Sequence, residues 1–307
     1  MRTGIASAAE AASPEDERSH GQRPHGQTLA MDLQLLGEQR MRRRTLGWLL
    51  GAGTLGMLGC GGTSSEDNNV SSVASGGSGG SSSGSTGGTS ASCVAIPQET
   101  AGPYPADGSN LSRGTIANAL SLSGIVRSDI RSSFAGATGV AQGVPLTVTL
   151  QIVDSNDSCA DLAGYAVYLW HCDRDGNYSM YSANVTQENY LRGVQVSDAS
   201  GQVSFTTIFP GCYSGRMPHI HFEVFRSAAA ATAGANALRT SQLAFPTDVC
   251  STVYNTASGY GASVSNLAAI SFATDNVFSD GVSTQLATVS GSVSGGYAAV
   301  LTVGVPA

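Results

Sequence analysis

From Val144 to Asp154 the chain reads VPLTVTLQIVD, with Leu146, Val148, Leu150 and Ile152 alternating against Thr147, Thr149 and Gln151. Strand side chains point to opposite faces in turn, so this stretch predicts a half-buried β-strand. YAVYLWHC (165–172) lacks that alternation and is rich in aromatic and β-branched residues, which predicts a strand buried on both faces. YLRGVQVSDASGQVSFTTIF (190–209) reads as two strands joined by a turn at Asp198-Ala199-Ser200-Gly201. HIHF (219–222), SQLAFP (241–246) and the closing YAAVLTVGV (297–305) complete the strand set. SAAAATAGANALRT (227–240) is the least strand-like piece and predicts a long surface loop with a helical turn. Many short strands, Gly-rich turns and hardly a helical stretch imply an all-β fold, a β-sandwich.

That pattern occupies only part of the chain. Residues 1–40 are polar without sustained periodicity, and residues 61–92 are dominated by Gly, Ser, Thr and Asn around SGGSGGSSSGSTGGTS. Such a composition buries no core and reads as a flexible linker. Between them, MRRRTLGWLLGAGTLGMLGC (41–60) sets Arg42, Arg43 and Arg44 before an apolar run too short for a comfortable membrane span. This is the layout of an export signal, and paired arginines before Thr45 and Leu46 suggest the twin-arginine route. Met57-Leu58-Gly59-Cys60 loosely resembles a bacterial lipobox, which makes Cys60 the expected lipid-anchor position; Met41 is an alternative start. The expected organisation is an extension and export signal over 1–60, a linker over 61–92, and one domain over 93–307. The expected location is periplasmic or cell-surface. The domain holds 14 Asp and Glu against 8 Arg, and the chain has no lysine. A net negative domain without basic clusters argues against nucleic acid as a partner.

Export changes how the cysteines read. Besides Cys60 there are Cys93, Cys159, Cys172, Cys212 and Cys250. In an oxidising compartment they are expected in disulfides rather than as metal thiolates, and no CxxC spacing suggests a zinc ribbon. Five is odd, so at least one stays free or pairs between chains.

Candidate chemistry gathers in GRMPHIHF (215–222), which carries two of the chain's five histidines. On a strand, His219 and His221 share a face with Cα atoms about 7 Å apart, close enough to converge on one metal ion. Ile220, Phe222 and Val224 take the opposite, core face. CDRDGNYSMY (172–181) is a turn around Asp175-Gly176 that delivers Tyr178. A calcium-loop reading fails there, because Tyr178 stands where glycine is required and no closing glutamate follows. FPGCYSGRMPHIHF (209–222) puts Tyr213 just after a Pro-Gly turn. A phenol of pKa near ~10 stays ionised at neutral pH only on a strong Lewis acid such as ferric iron. On the residues alone, each tyrosine reads first as a buried aromatic with a bonded hydroxyl.

Together, LWHCDRDGNYSMY and YLRGVQVSDASGQVSFTTIFPGCYSGRMPHIHFEVF resemble the intradiol ring-cleavage dioxygenases, the family of catechol and protocatechuate dioxygenases. The resemblance is nearest to the exported bacterial and fungal members. ETAGPYP (99–105) and TSQLAFP (240–246) extend it over most of residues 95–250. It implies a β-sandwich and four ligands to Fe(III): Tyr178, Tyr213, His219 and His221. It further implies that Arg216 and Gln242 act on the substrate and that Gly102, Pro103 and Tyr104 line its pocket. Cys212 departs from the bulkier residue expected beside Tyr213, and is the candidate for the unpaired thiol.

The implied activity is cleavage of catechol-type diols by O2 between the two hydroxylated carbons, giving muconate-type diacids. Tyr213 would serve as an internal base as well as a ligand. Two other classes stay open on the sequence. One is a non-catalytic sandwich that binds aromatics or sugars. The other is a zinc hydrolase or Fe(II) oxygenase using the histidine pair, which needs a carboxylate ligand; Glu223 is on the right face but points beyond the pair.

Overall fold

A computed structural model describes residues 94–307. The expected export signal, the expected anchor position Cys60, the expected linker and Cys93 lie outside the described residues. Eleven strands are present among them. They are β1 (Asp107–Ser112), β2 (Thr115–Asn118), β3 (Pro145–Asp154), β4 (Ala160–Asp161), β5 (Ala166–Trp170), β6 (Arg192–Val196), β7 (Gln202–Ile208), β8 (His219–Phe225), β9 (Arg239–Ala244), β10 (Thr288–Ser292) and β11 (Gly296–Val305). One sheet runs β10-β11-β3-β4, with β7 also on β3; the other runs β6-β5-β8-β9, and β1–β2 form a separate hairpin.

The alternation along 144–154 does what it predicts. In β3, Leu146, Val148, Leu150 and Ile152 are buried, and they pack with Val167, Leu169, Phe205, Ile220, Phe222, Val224 and Val303 between the two sheets. β5 is buried at every position, for a reason its composition only hints at. Val167 and Leu169 enter the inter-sheet core. Tyr168 and Trp170 point the other way, into a second apolar layer with Ala106, Ala117, Tyr178 and Val194. The four-stranded sheet is thus covered on both faces, and its outer layer is where the candidate site forms.

The segments either side of Asp198 are both strands joined by a turn, as expected, and they lie in different sheets. β6 lies on β5 and β7 lies on β3, so the turn carries the chain from one sheet to the other. Asp198 holds that turn by accepting from the backbone N–H groups of Ser200 and Gln202. Two helices also interrupt the strands: α1 (Thr247–Thr256) and α2 (Gly261–Ala268). TDVCSTVYNT is rich in β-branched residues with low helix propensity, and burial of Cys250, Val253 and Tyr254 on one side stabilises α1.

One expectation is corrected, that of the disulfides. Cys159 is disulfide-bonded, but Cys172, Cys212 and Cys250 are free and buried, serving as small apolar groups in the core. Cys212 is unpaired as expected; Cys172 and Cys250 join it. The stretch 227–240 is largely the expected loop, with two short 3-10 turns at Ala228–Ala230 and Gly234–Asn236 before β9 begins at Arg239.

Candidate metal centre

β8 places the two histidines. Ile220, Phe222 and Val224 fill the inter-sheet core, which turns His219 and His221 toward the outer layer. Antiparallel pairing then sets Trp170 opposite His221 on one side and Gln242 opposite it on the other. Cross-strand neighbours share a face, so the indole stacks flat on the His221 ring, at 5.0 Å between centroids and 5° between planes. Tyr178 arrives from the 173–177 turn. Asp173 organises that turn, accepting from the N–H groups of Asp175 and Asn177 at 3.0 and 2.8 Å and from the Tyr190 hydroxyl at 3.2 Å. Gly176, at φ +86°, lies so close to Tyr213 that an added Cβ would stand 3.1 Å from the Tyr213 Cβ. Only glycine suits both the left-handed backbone and that approach.

The side chains converge on one point. His219 Nδ1 donates to the Met217 carbonyl at 2.6 Å. This fixes the tautomer, leaving Nε2 with a bare lone pair. That Nε2 lies 3.1 Å from His221 Nε2 and 3.2 Å from the Tyr213 hydroxyl. Tyr178 sits beside them, its ring 5.9 Å from Tyr213 and 6.2 Å from His221. Its hydroxyl is buried and makes no hydrogen bond of standard geometry, and His221 Nδ1 is likewise unpartnered.

The electrostatics suit a bound cation. Burial, then Arg216, holds His219 well below the usual imidazole range. Burial, then His219, does the same to His221. Both rings are therefore neutral and offer lone pairs rather than protons. Burial, then the neighbouring Tyr213, pushes the Tyr178 phenol well up, so it ionises only against a positive charge. Two nitrogen donors each about 2.0–2.1 Å from a shared ion, at adjacent corners, stand about 3 Å apart. The observed 3.1 Å matches. Among the described residues no group of three or more His, Cys, Asp and Glu is placed to hold a metal. Glu223 shares their face of β8 but lies further along it, opposite Thr240 and bonded by its hydroxyl, so the reading that needs a carboxylate beside the histidines finds no donor.

A dioxygenase family model matches residues 128–258, a span that contains all four of these side chains. An intradiol ring-cleavage dioxygenase from Tetranychus urticae is 25% identical, with 70% of this chain and 96% of that chain covered at a TM-score of 0.52. Residues 128–258 thus carry a dioxygenase domain, and the fold resembles that of the intradiol ring-cleavage dioxygenases. More distant structures include the dioxygenase domain of a carbohydrate-binding fusion from Streptomyces sp. SirexAA-E. It is 23% identical, covering 68% of this chain and 97% of that one, with a TM-score of 0.41. Catechol 1,2-dioxygenase from Pseudomonas arvilla C-1 is 18% identical, covering 68% and 62%, with a TM-score of 0.39.

In this dioxygenase the segment before β1 closes over the site. Gly102, at φ +69°, presents its bare Cα side to His221, and a Cβ there would touch the imidazole at 3.4 Å. The Tyr104 ring rests 5.1 Å from Tyr178 and 5.1 Å from Tyr181. Pro103 is half-buried between them. Arg216 is buried and donates through Nη2 to Gln242 Oε1 at 2.6 Å, and Gln242 donates to the Thr100 carbonyl at 3.0 Å. The nine residues singled out from the sequence thus lie in one region of the fold.

Three further residues that build the site escape sequence reasoning. Trp170 supports His221 from the neighbouring strand. Arg192, 1% exposed, donates to the carbonyls of Tyr104, Pro105 and Ser179. Asp275 holds Arg216 at 3.0 Å. The first two lie within strand runs that read as core, and Asp275 lies far along the chain; nothing local marks any of them.

Proposed function

We propose that Tyr178, Tyr213, His219 and His221 hold a ferric ion and that the enzyme cleaves catechol-type diols between the two hydroxylated carbons, giving muconate-type diacids. The observation that carries this is the donor set: two neutral imidazole nitrogens and two phenol oxygens, gathered without a carboxylate. Bound there, ferric iron would act as the Lewis acid that keeps both phenols ionised, binds a diol through its two oxygens and activates the ring toward O2. The protein's own groups do the rest. Tyr213, half-buried at the edge of the cluster, is the better placed of the two tyrosines to take a proton from an entering diol. Arg216 donates toward negative charge developing on the substrate, and Gln242 fixes the guanidinium that does so. Gly102 leaves room above His221, and Tyr104 walls the pocket against Tyr178. No external reductant is needed. Export, and an anchor at Cys60, would place this chemistry on aromatics outside the cytoplasm.

The test is direct. Protein loaded with ferric iron should be burgundy from tyrosinate-to-iron charge transfer and should convert catechol to a colourless diacid carrying oxygen from labelled O2. Tyr213→Phe should retain iron and turn over far more slowly. A yellow semialdehyde product, or a requirement for ferrous iron and ascorbate, would overturn both the ligand set and the cleavage position.

A further inference from the structure

Asp275 is 0% exposed and uses both carboxylate oxygens fully. Oδ2 accepts from Arg216 Nε at 3.0 Å and from the Met217 backbone N–H at 2.7 Å. Oδ1 accepts from the N–H groups of Val277 and Phe278 at 2.8 and 3.1 Å. Four bonds from three directions leave the carboxylate no rotation, so the guanidinium it holds is fixed as well. The other edge of the guanidinium is tied to Gln242, and its face lies 5.8 Å from the Phe278 ring. That ring is itself positioned by the turn Asp275 closes. The same carboxylate reaches the histidines through one residue: Met217 donates its N–H to Asp275, and its carbonyl accepts from His219 Nδ1.

We propose that Asp275 is a positioning residue that aims Arg216 and cancels its charge, so that the site favours catechols without a ring carboxylate over carboxylated ones. This rests on the reading of Arg216 as the substrate-facing donor. A bare buried guanidinium would be a strong counter-ion for a second anionic group on the substrate. Paired at 3.0 Å with a fully buried carboxylate, it presents directed N–H groups with little net field. Arg192, the other buried arginine among the described residues, spends its donors on backbone carbonyls and hydroxyls. Asp275 lies beyond residue 258, where the family match ends, so its role does not follow from the matched region.

Two variants of the full-length, iron-loaded protein separate aim from charge. Asp275→Asn removes the charge and turns one of the two acceptor oxygens into a donor, so the four-bond clamp cannot form; kcat on catechol should fall roughly ten- to hundredfold with little change in KM. The ratio of kcat/KM for protocatechuate to that for catechol should rise about fivefold or more. Asp275→Glu keeps the charge but displaces the guanidinium, so kcat should fall while the ratio stays put. Iron content and the visible band should be retained in both. An Asp275→Asn enzyme within twofold of wild type in kcat, or an unmoved ratio, would overturn the proposal. A loss of iron in both variants would overturn it too, by assigning Asp275 to the His219 segment. One measurement needs neither activity nor a variant that might misfold. In iron-free wild-type protein the Arg216 Nε–H, assigned by its absence in Arg216→Lys, should exchange with solvent far more slowly than exposed arginines. Exchange at the exposed rate would refute the clamp even if catechol turnover is normal. Slow exchange in a protein that cleaves no diol would uphold the clamp and place the fault in the functional reading.

Discussion

Replacing Arg192 by methionine should be the most damaging single change outside the candidate ligands. The side chain is 1% exposed and donates to the Tyr104, Pro105 and Ser179 carbonyls at 2.8–2.9 Å, with further bonds to Ser179 Oγ and the Tyr168 hydroxyl at 3.1 Å. Methionine refills most of the volume, so the cavity contribution is small. Three buried carbonyls lose their charged donor at about 1 kcal/mol each, giving a loss of about 3 kcal/mol. Relief of a buried charge offsets part of the two hydroxyl bonds and is left out of that figure. For a domain of this size about 1 kcal/mol corresponds to about 2–4 °C, so Tm should drop by about 6–12 °C. Urea unfolding of iron-free protein followed by tryptophan emission reads the same quantity, since Trp170 lies in the affected layer. Because Arg192 ties down the Tyr104 backbone, the Michaelis constant for catechol should also rise several-fold. Lysine should recover only part of the loss, having no fork to span three carbonyls. A methionine variant within about 1 kcal/mol of wild type would show that water satisfies those carbonyls instead.

Tyr178→Phe should abolish the burgundy colour and weaken iron retention at least tenfold, measured by metal analysis after dialysis. Full iron with an unchanged band would remove Tyr178 from the ligand set. Cys172, Cys212 and Cys250 should resist alkylation in the native protein and react only on unfolding, because burial pushes their thiols up, Cys212 to about 12; peptide mapping after iodoacetamide decides this. Burial, then the adjacent Asp107, pushes the Glu223 carboxyl from 4.5 up to about 8. The folded state therefore holds a proton that the unfolded chain releases, and stability of iron-free protein should fall as pH rises across that window. Glu223→Gln should flatten this stretch of the profile; a slope as steep as wild type would assign it to another group.

Much of this protein is legible in the sequence because its signals are local. Alternation along 144–154 follows from the two-residue period of a strand, and it is borne out residue by residue in β3. His219 and His221 fall on one face for the same reason, with Ile220 and Phe222 buried on the other. Tyr178 and Tyr213 each follow a turn whose residues are readable where they stand. What no local pattern holds is which strand lies beside which. The sequence shows two strands flanking Asp198, and only the packed sheets decide that they part company there. α1 forms from a segment of poor helix propensity because Cys250, Val253 and Tyr254 pack into the inter-sheet core, with the Tyr254 hydroxyl donating to the Pro210 carbonyl. Cys172 and Cys250 stay thiols because the fold buries them in the core as apolar groups. Trp170 against His221 and Asp275 against Arg216 are contacts between residues 51 and 59 positions apart. Their meaning exists only once β5 pairs with β8 and the 271–278 segment folds back. Residue type and spacing determined the chemistry this chain can offer; long-range pairing decided how that chemistry is held, because burial and cross-strand registry are properties of the assembled sheets and not of any segment alone.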